Sequence, residues 1–206
     1  MTTALVIGFD RFPGAPQNPS GDLVRAIARR RRPALADVSV VPAVLATSYS
    51  AVANELPALL KRHDPDVVLF FGLASRADAV RIESRAVNAA STVHPDAARA
   101  KLSGSRIVRG APLALRVLSP LARLAAAVRS TGVSVRHSRD AGRYICNAAL
   151  FTVLDSGRRS GRPKQIAFVH IPWPRARGRS RRPPLRGLVR AGEAALVALT
   201  TASKRG

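Results

Sequence analysis

The sequence predicts an α/β domain in which helices cover both faces of a mostly parallel β-sheet. Short apolar runs, typical of buried strands, alternate along the chain with longer segments whose apolar residues recur at helical spacing. This alternation is the pattern of parallel sheets that are covered by helices on both faces. The 206 residues contain no internal repeat and no clear boundary, so we expect a single domain over 1–206.

The first half of the chain is predicted to contain four strands and two helices. The strands are expected at 4–9, 38–45, 66–74 and 79–87. Ser20 is the predicted cap of the first helix, which stops at Pro33. The second helix is expected over 48–63, where leucines recur at helical spacing. Pro42 indicates that its strand lies at a sheet edge or that the strand ends there.

The second half begins with an irregular segment over 89–112, which we expect to be a long surface loop. A helix is predicted over 119–132, with Ser119 as its cap, Pro120 in the first helical position and Gly132 at its end. The remaining predicted elements are a strand at 133–138, a helix at 142–157, a strand at 165–172 and a helix at 184–202.

The chain is strongly basic, with 34 Lys and Arg against 12 Asp and Glu and a formal net charge of +22. Such a balance attracts polyanions. The densest basic run is expected to form a loop at about 175–186. Aromatic residues make up only 4% of the chain and no nucleic-acid-binding motif is present, so we expect nucleic acid to bind at most non-specifically.

The sequence also bears on the cellular compartment. The first residues lack the features of a signal peptide, and no apolar run reaches the ~20 residues that a membrane span requires. A single cysteine is typical of a protein from a reducing compartment. We therefore expect a cytoplasmic protein that has no membrane partner.

The one cysteine, Cys146, is the first candidate for chemistry. It follows the strand at 133–138 and stands near the start of a helix, where free N–H groups and the helix dipole favour a thiolate. His170 is near the end of the strand at 165–172. If these two strands are neighbours, the thiol and the imidazole meet at one edge of the sheet, as the pair in a thiol hydrolase requires.

A third group would have to orient the imidazole, and Glu83 is available for this role. Each of these residues also has a structural interpretation. Cys146 could be a small buried hydrophobic residue, and His170 could simply pack within an apolar strand. Glu83 could form an ion pair with Arg81 or Arg85 on a solvated face of its strand.

Four stretches, in this order, distinguish between these interpretations. They are GFDRFPGAPQNPS (8–20), FGLASRADAVRIESRAVN (71–88), SRDAGRYICN (138–147) and FVHIP (168–172). Together they resemble the signature blocks of the pyroglutamyl peptidase type I family of cysteine peptidases, also called pyrrolidone-carboxylate peptidases. The blocks span most of the chain, and each expected Cys, His and Glu is in place.

This resemblance implies a three-layer α/β/α sandwich around a mostly parallel twisted sheet. It also implies a triad with Cys146 as nucleophile, His170 as general base and then acid, and Glu83 as the orienting carboxylate. The implied substrates are peptides with an N-terminal pyroglutamyl residue, whose lactam ring would contact Phe9 and Phe12. Dimers or tetramers of the chain are expected on the same grounds.

No cofactor is expected, because the mechanism of this family needs none. No metal site is expected either, since the other histidines lack the spacing of a ligand set. The chain departs from the family pattern at three places: Pro13 stands where the family has Gly, Leu73 where many members have Gln, and Ser84 where Arg commonly follows the Glu. These departures leave open the alternative of a catalytically altered family member, and the net charge of +22 leaves open that of a basic nucleic-acid-binding protein.

Overall fold

The computed structural model describes residues 1–102, 104–175 and 181–204. Eight strands and five α-helices are formed within them. The strands are β1 (Thr2–Phe9), β2 (Val38–Leu45), β3 (Val67–Leu73), β4 (Val80–Glu83), β5 (Arg85–Val87), β6 (Ala114–Arg116), β7 (Val135–Ser138) and β8 (Gln165–Ile171). The helices are α1 (Pro19–Ala28), α2 (Leu56–His63), α3 (Leu121–Arg129), α4 (Ile145–Ser160) and α5 (Leu185–Ser203).

The main sheet has six strands in the order β2-β1-β3-β8-β4-β7. The first four strands run parallel to one another, whereas β4 runs antiparallel to β8 and parallel to β7. The predicted mostly parallel α/β fold is therefore confirmed. Strand β2 is an edge strand, as Pro42 predicts, because the missing N–H of proline costs least where no further strand pairs.

Two separate hydrophobic cores lie on the two faces of this sheet, which makes the three layers. One core packs the sheet against α1, α3 and α5, with Leu23, Leu124 and Leu196 fully buried in it. The other packs the sheet against α2 and α4, and its centre is a set of stacked phenylalanine rings. Strands β5 and β6 form a second, two-stranded sheet that contacts α4.

Two predicted helix caps are wrong. The cap of α1 is Asn18, whose side-chain oxygen accepts a hydrogen bond from the N–H of Ser20 at 3.1 Å. Ser119 does not cap α3, which begins after Pro120 without a side-chain cap. The Ser119 hydroxyl instead exchanges two 2.8 Å hydrogen bonds with the backbone of Ile166. The backbone N–H and carbonyl of Ile166 are thus the partners of the Ser119 hydroxyl, in place of the first N–H groups of α3.

The single strand predicted over 79–87 is also wrong, because it divides at Ser84 into β4 and β5, which belong to different sheets. Both N–H and hydroxyl of Ser84 donate to the carbonyl of Ser138 at 2.8 Å, where β4 leaves the main sheet. The strands at 133–138 and 165–172 are not neighbours, since β4 lies between them. The alternation of apolar and polar residues over 79–87 gave no indication that the strand divides at Ser84.

The predicted basic loop at 175–186 is only partly covered, because 176–180 lie outside the described residues. The N–H of Arg175 donates to the carbonyl of Pro183, and α5 begins two residues later. None of the helices within the described ranges is both long enough and apolar enough to cross a membrane.

Candidate active site

The site is built on the face of the sheet that α4 covers. Side chains alternate along β8, so Val169 and Ile171 enter the core on the side of α1, α3 and α5. Phe168 and His170 point the other way, and their rings lie 4.6 Å apart. The imidazole is therefore held against an aromatic core at the C-terminal end of a central strand, and only 7% of the residue is exposed.

Glu83 reaches this imidazole from the neighbouring strand. In the antiparallel β4–β8 pair, His170 faces Arg81, which places Glu83 diagonally across from it on the same face. The distance between Glu83 Oε1 and His170 Nδ1 is 2.8 Å. Glu83 is 1% exposed, so the alternative of a solvated ion pair with an arginine of its own strand does not describe it.

Cys146 approaches from the other side, as the second residue of α4. Tyr144 occupies the cap position and makes no side-chain capping bond, so its side chain does not occupy the first N–H groups of the helix. Unpaired N–H groups and the positive end of the dipole of a sixteen-residue helix attract negative charge at this place. Cys146 is half-buried and is the free cysteine of the chain.

Gly72 makes room for the thiol. It lies opposite His170 in the parallel β3–β8 register. A Cβ atom at this position would lie 2.8 Å from the ring of Phe168 and 3.1 Å from Cys146 Sγ. Any larger side chain would therefore displace the sulfur or the ring that supports His170. Sequence reasoning missed this glycine, although it stands inside the second quoted block.

The electrostatics of the site favour a charged imidazole. Burial alone would lower the pKa of His170, but a hydrogen bond and the negative charge of Cys146 raise it, and Glu83 raises it further. The result is a pKa of about 9 for His170. The structure thus brings Cys146, His170 and Glu83 together, with the imidazole interacting with both of its neighbours.

A cavity of about 730 Å³ opens beside the start of α4. Phe12, Pro13 and Tyr144 are among the residues that line it. Phe12 is half-buried and is held by two backbone hydrogen bonds between its own residue and Ala15. Among the described lining residues, Phe9 does not appear. Its side chain is 2% exposed and packs in the phenylalanine stack beneath the site.

Asn147, next to the cysteine, is a second residue that sequence reasoning missed. Its amide exchanges hydrogen bonds of 2.8 and 2.9 Å with the backbone of Val87 and donates a third, of 2.9 Å, to the carbonyl of Ala89. Asn147 is 1% exposed. It ties the start of α4 to the segment that follows β5, which leads directly into one wall of the cavity. The adjacent Cys-Asn pair in the third block was the available signal.

The three departures from the family pattern lie around this site. Pro13 is exposed on the cavity wall, and Leu73 is half-buried at the end of β3. Ser84 anchors the point at which β4 leaves the main sheet. Within the described part of the chain, no three His, Cys, Asp or Glu side chains come together as a metal site would require.

Comparison with known proteins identifies the family. The family model described as pyroglutamyl peptidase matches residues 2–199. A pyrrolidone-carboxylate peptidase of Thermococcus kodakarensis is 30% identical over 82% of this chain and 80% of its own length. One of Clavibacter michiganensis is 32% identical over 84% of this chain and 79% of its own length.

The fold matches solved structures over its full length. The pyrrolidone carboxyl peptidase of Thermococcus litoralis superposes with a TM-score of 0.90 at 25% identity, covering all of this chain and 96% of that one. The family model, the relatives and the fold agree with the resemblance of the four sequence blocks. The chain therefore belongs to the pyroglutamyl peptidase family of hydrolases.

Proposed function

We propose that this protein is a cysteine peptidase that removes N-terminal pyroglutamyl residues from peptides, with Cys146, His170 and Glu83 as its catalytic triad. The observation that carries the proposal is the contact of one imidazole with both a thiol and a buried carboxylate, at 2.8 Å for the latter. Acyl transfer by a cysteine needs a thiol nucleophile beside an imidazole base, and a carboxylate that orients the imidazole.

The first step forms a thioester. The Cys146 thiolate attacks the pyroglutamyl carbonyl carbon, and the negative charge moves to the carbonyl oxygen. N–H groups at the start of α4, including that of Cys146 itself, stabilise this oxyanion in the proposed mechanism, and the absence of a side-chain cap supports this role. The tetrahedral intermediate then collapses, the C–N bond breaks, and the His170 imidazolium gives its proton to the departing amine.

The second step releases the acid. Neutral His170 takes a proton from water, and the resulting hydroxide attacks the thioester carbon. The C–S bond breaks, free pyroglutamate leaves, and the thiolate–imidazolium pair is restored. Throughout, Glu83 accepts a hydrogen bond from Nδ1, which fixes the ring orientation and stabilises the positive charge on the imidazole.

The substrate suits the site because pyroglutamate is a small neutral lactam without a free amine. An apolar slot with a few polar backbone groups can hold such a ring, whereas an ordinary aminopeptidase would have no ammonium group to bind. Phe12 supports this role from the cavity wall. The role of Phe9 in contacting the lactam stays a prediction, since its ring lies in the core behind the site.

A reducing cytoplasm fits a mechanism that depends on one free thiol, and we assign the protein to that compartment. The association into dimers or tetramers that the family resemblance implies is part of the same proposal, and sedimentation velocity tests it directly. Nucleic acid binding, if measured, should be weak, indifferent to sequence, and steeply reduced by salt, because it would rest on net charge alone.

Turnover of a fluorogenic pyroglutamyl amide by the folded, reduced protein tests the proposal. We expect release of the fluorophore from this substrate and none from the matched prolyl and alanyl amides. Cys146→Ser should abolish the activity, and His170→Ala should remove nearly all of it, because members of a triad act as a unit. If the folded wild-type protein releases no fluorophore, the alternative of a catalytically altered family member would be preferred.

A further inference from the structure

The cavity at the start of α4 is larger than the proposed pyroglutamyl substrate group. A volume of about 730 Å³ falls in the range, roughly 300–1,000 Å³, of pockets that bury a drug-sized ligand. A five-membered lactam fills only part of such a space. If the proposed function is correct, the remaining volume is available to the part of the peptide that follows the pyroglutamyl group.

Among the described residues that line the cavity, one side chain, that of Arg143, is positively charged and none is negatively charged. Arg143 and His94 are its basic members, and no carboxylate is present among the described residues that line it. Both side chains are exposed. The carbonyl of Arg143 accepts a 2.7 Å hydrogen bond from Ser91, another lining residue, so the backbone that carries the guanidinium is fixed. Arg143 is three residues before Cys146 in the chain.

The cavity adjoins the start of the helix that carries the nucleophile, although Cys146 and His170 are not among its described lining residues. Tyr144 lines the cavity and lies at the start of the helix that carries Cys146. The Tyr144 hydroxyl donates a 3.0 Å hydrogen bond to the carbonyl of Pro95, another lining residue, so its ring is fixed against the cavity wall. Because Tyr144 is two residues before Cys146 and lines the cavity together with Arg143, the cavity offers space for the part of the peptide that leaves the acyl group.

The segment 97–112 contributes Ser105 to the lining of the cavity, and its positive side chains lie outside that lining. Over 97–112 the sequence has basic side chains and no acidic one. The basic residues are exposed: Arg99, Lys101, Arg106 and Arg109. The acid that precedes them, Asp96, is 1% exposed, and its two oxygens accept hydrogen bonds from the N–H groups of Tyr49, Ala98 and Ala100. The charge of Asp96 is therefore balanced by backbone N–H donors within the protein.

Two exposed carboxylates lie at the ends of the neighbouring loops. Asp10 accepts a hydrogen bond from the N–H of Arg11, and Asp140 accepts one from the N–H of Gly142. Neither of them lines the cavity. Each is also next to an arginine in the sequence, Arg11 and Arg139, so neither region is negative overall.

We propose that this cavity selects pyroglutamyl peptides in which an acidic residue follows the pyroglutamyl group, and that Arg143 is the principal determinant of this specificity. The inference rests on the proposed peptidase activity and adds the class of peptide that it acts on. The carboxylate of the residue that follows the pyroglutamyl group would approach Arg143 at a mostly neutral, partly apolar wall. The positive charge of Arg143 would attract this carboxylate and orient the substrate.

A pair of peptides that differ only in charge tests this proposal. Pyroglutamyl-aspartyl amide and pyroglutamyl-asparaginyl amide have the same shape, and kcat/KM is measured for each with the reduced wild-type protein. We expect an aspartyl-to-asparaginyl ratio of about five, as one partly exposed ion pair supplies. The ratio should fall when the salt concentration is raised.

The same ratio is then measured in two variants that each lose one exposed arginine. Arg143→Gln should bring the ratio close to one. Arg190→Gln, on the opposite face in α5, should keep the wild-type ratio and thus controls for net charge. A wild-type ratio of one or less, or an unchanged ratio in Arg143→Gln, would overturn the proposal while leaving the peptidase activity standing. Failure to cleave either peptide would overturn the proposed function itself.

Discussion

Replacing Glu83 by glutamine is the sharpest perturbation of the site, because it removes one charge and changes almost nothing in shape. Glu83 Oε1 lies 2.8 Å from His170 Nδ1, and a glutamine carbonyl can still accept that hydrogen bond. What is lost is the negative charge that stabilises the imidazolium. The pKa of His170 should therefore fall from its raised value.

The size of this effect follows from the raised pKa. One pKa unit corresponds to about 1.4 kcal/mol, so raising His170 from 6.5 to about 9 means that its charged form is favoured by about 3 kcal/mol. Cys146 supplies the larger attraction and Glu83 the smaller one. We expect Glu83→Gln to remove about 1–2 kcal/mol, which lowers the pKa of His170 by about one unit and kcat/KM by about five- to thirtyfold.

The assay is the pH dependence of kcat/KM with a pyroglutamyl amide. Loss of the imidazolium proton should produce an alkaline limb near pH 9 in the wild-type protein, and Glu83→Gln should move that limb to lower pH. Asp155→Asn is the matched control, since Asp155 is equally buried in α4 but pairs with Arg158 and Arg159. An alkaline limb that stays in place in folded Glu83→Gln would refute this reasoning.

Three further substitutions test the surroundings of the triad. Gly72→Ala places a Cβ 2.8 Å from the ring of Phe168 and 3.1 Å from the thiol, so kcat should fall and the free energy of unfolding should drop by about 1–3 kcal/mol. Gly104→Ala, where the added Cβ meets open space, should change neither quantity, and equal losses in both variants would contradict the steric account. Asn147→Ala breaks three partly buried hydrogen bonds, and chemical denaturation should reveal a loss of about 3 kcal/mol in the free energy of unfolding. An unchanged denaturation midpoint would show that those bonds do not hold the site. Phe12→Ala should raise KM for pyroglutamyl amides with little effect on stability, because the ring is half-buried, and an unchanged KM would exclude it from the binding slot.

Part of this architecture was predictable because it depends on local periodicity. The alternation from Val80 to Glu83 puts Val80 and Ile82 in one core and leaves Glu83 on the opposite face, where it meets His170. The apolar runs of β1, β3 and β8 occupy the centre of the sheet, where strands are buried on both faces. The ordered blocks of the family resemblance added the partnership of Cys146, His170 and Glu83, which periodicity alone left open.

The rest depends on contacts between distant parts of the chain. No local pattern states that β4 lies between β8 and β7, since strand order results from how all the helices and strands pack together. The break at Ser84 occurs where apolar and polar residues alternate without interruption. What changes there is the partner strand, since β4 pairs with β7 and β5 pairs with β6. The need for glycine at position 72 can be understood only from the folded structure, in which the sulfur of Cys146 in α4 lies against it.

The central claim is that Cys146 carries the acyl group during turnover. Mass spectrometry of the reduced protein, acid-quenched while it hydrolyses a pyroglutamyl amide, tests this claim most directly. We expect a fraction of the protein to gain the mass of one pyroglutamyl group, located by fragmentation on the peptide that contains Cys146, with no such gain in Cys146→Ser. Continued turnover by Cys146→Ser, or an acyl group found on another residue, would contradict the account.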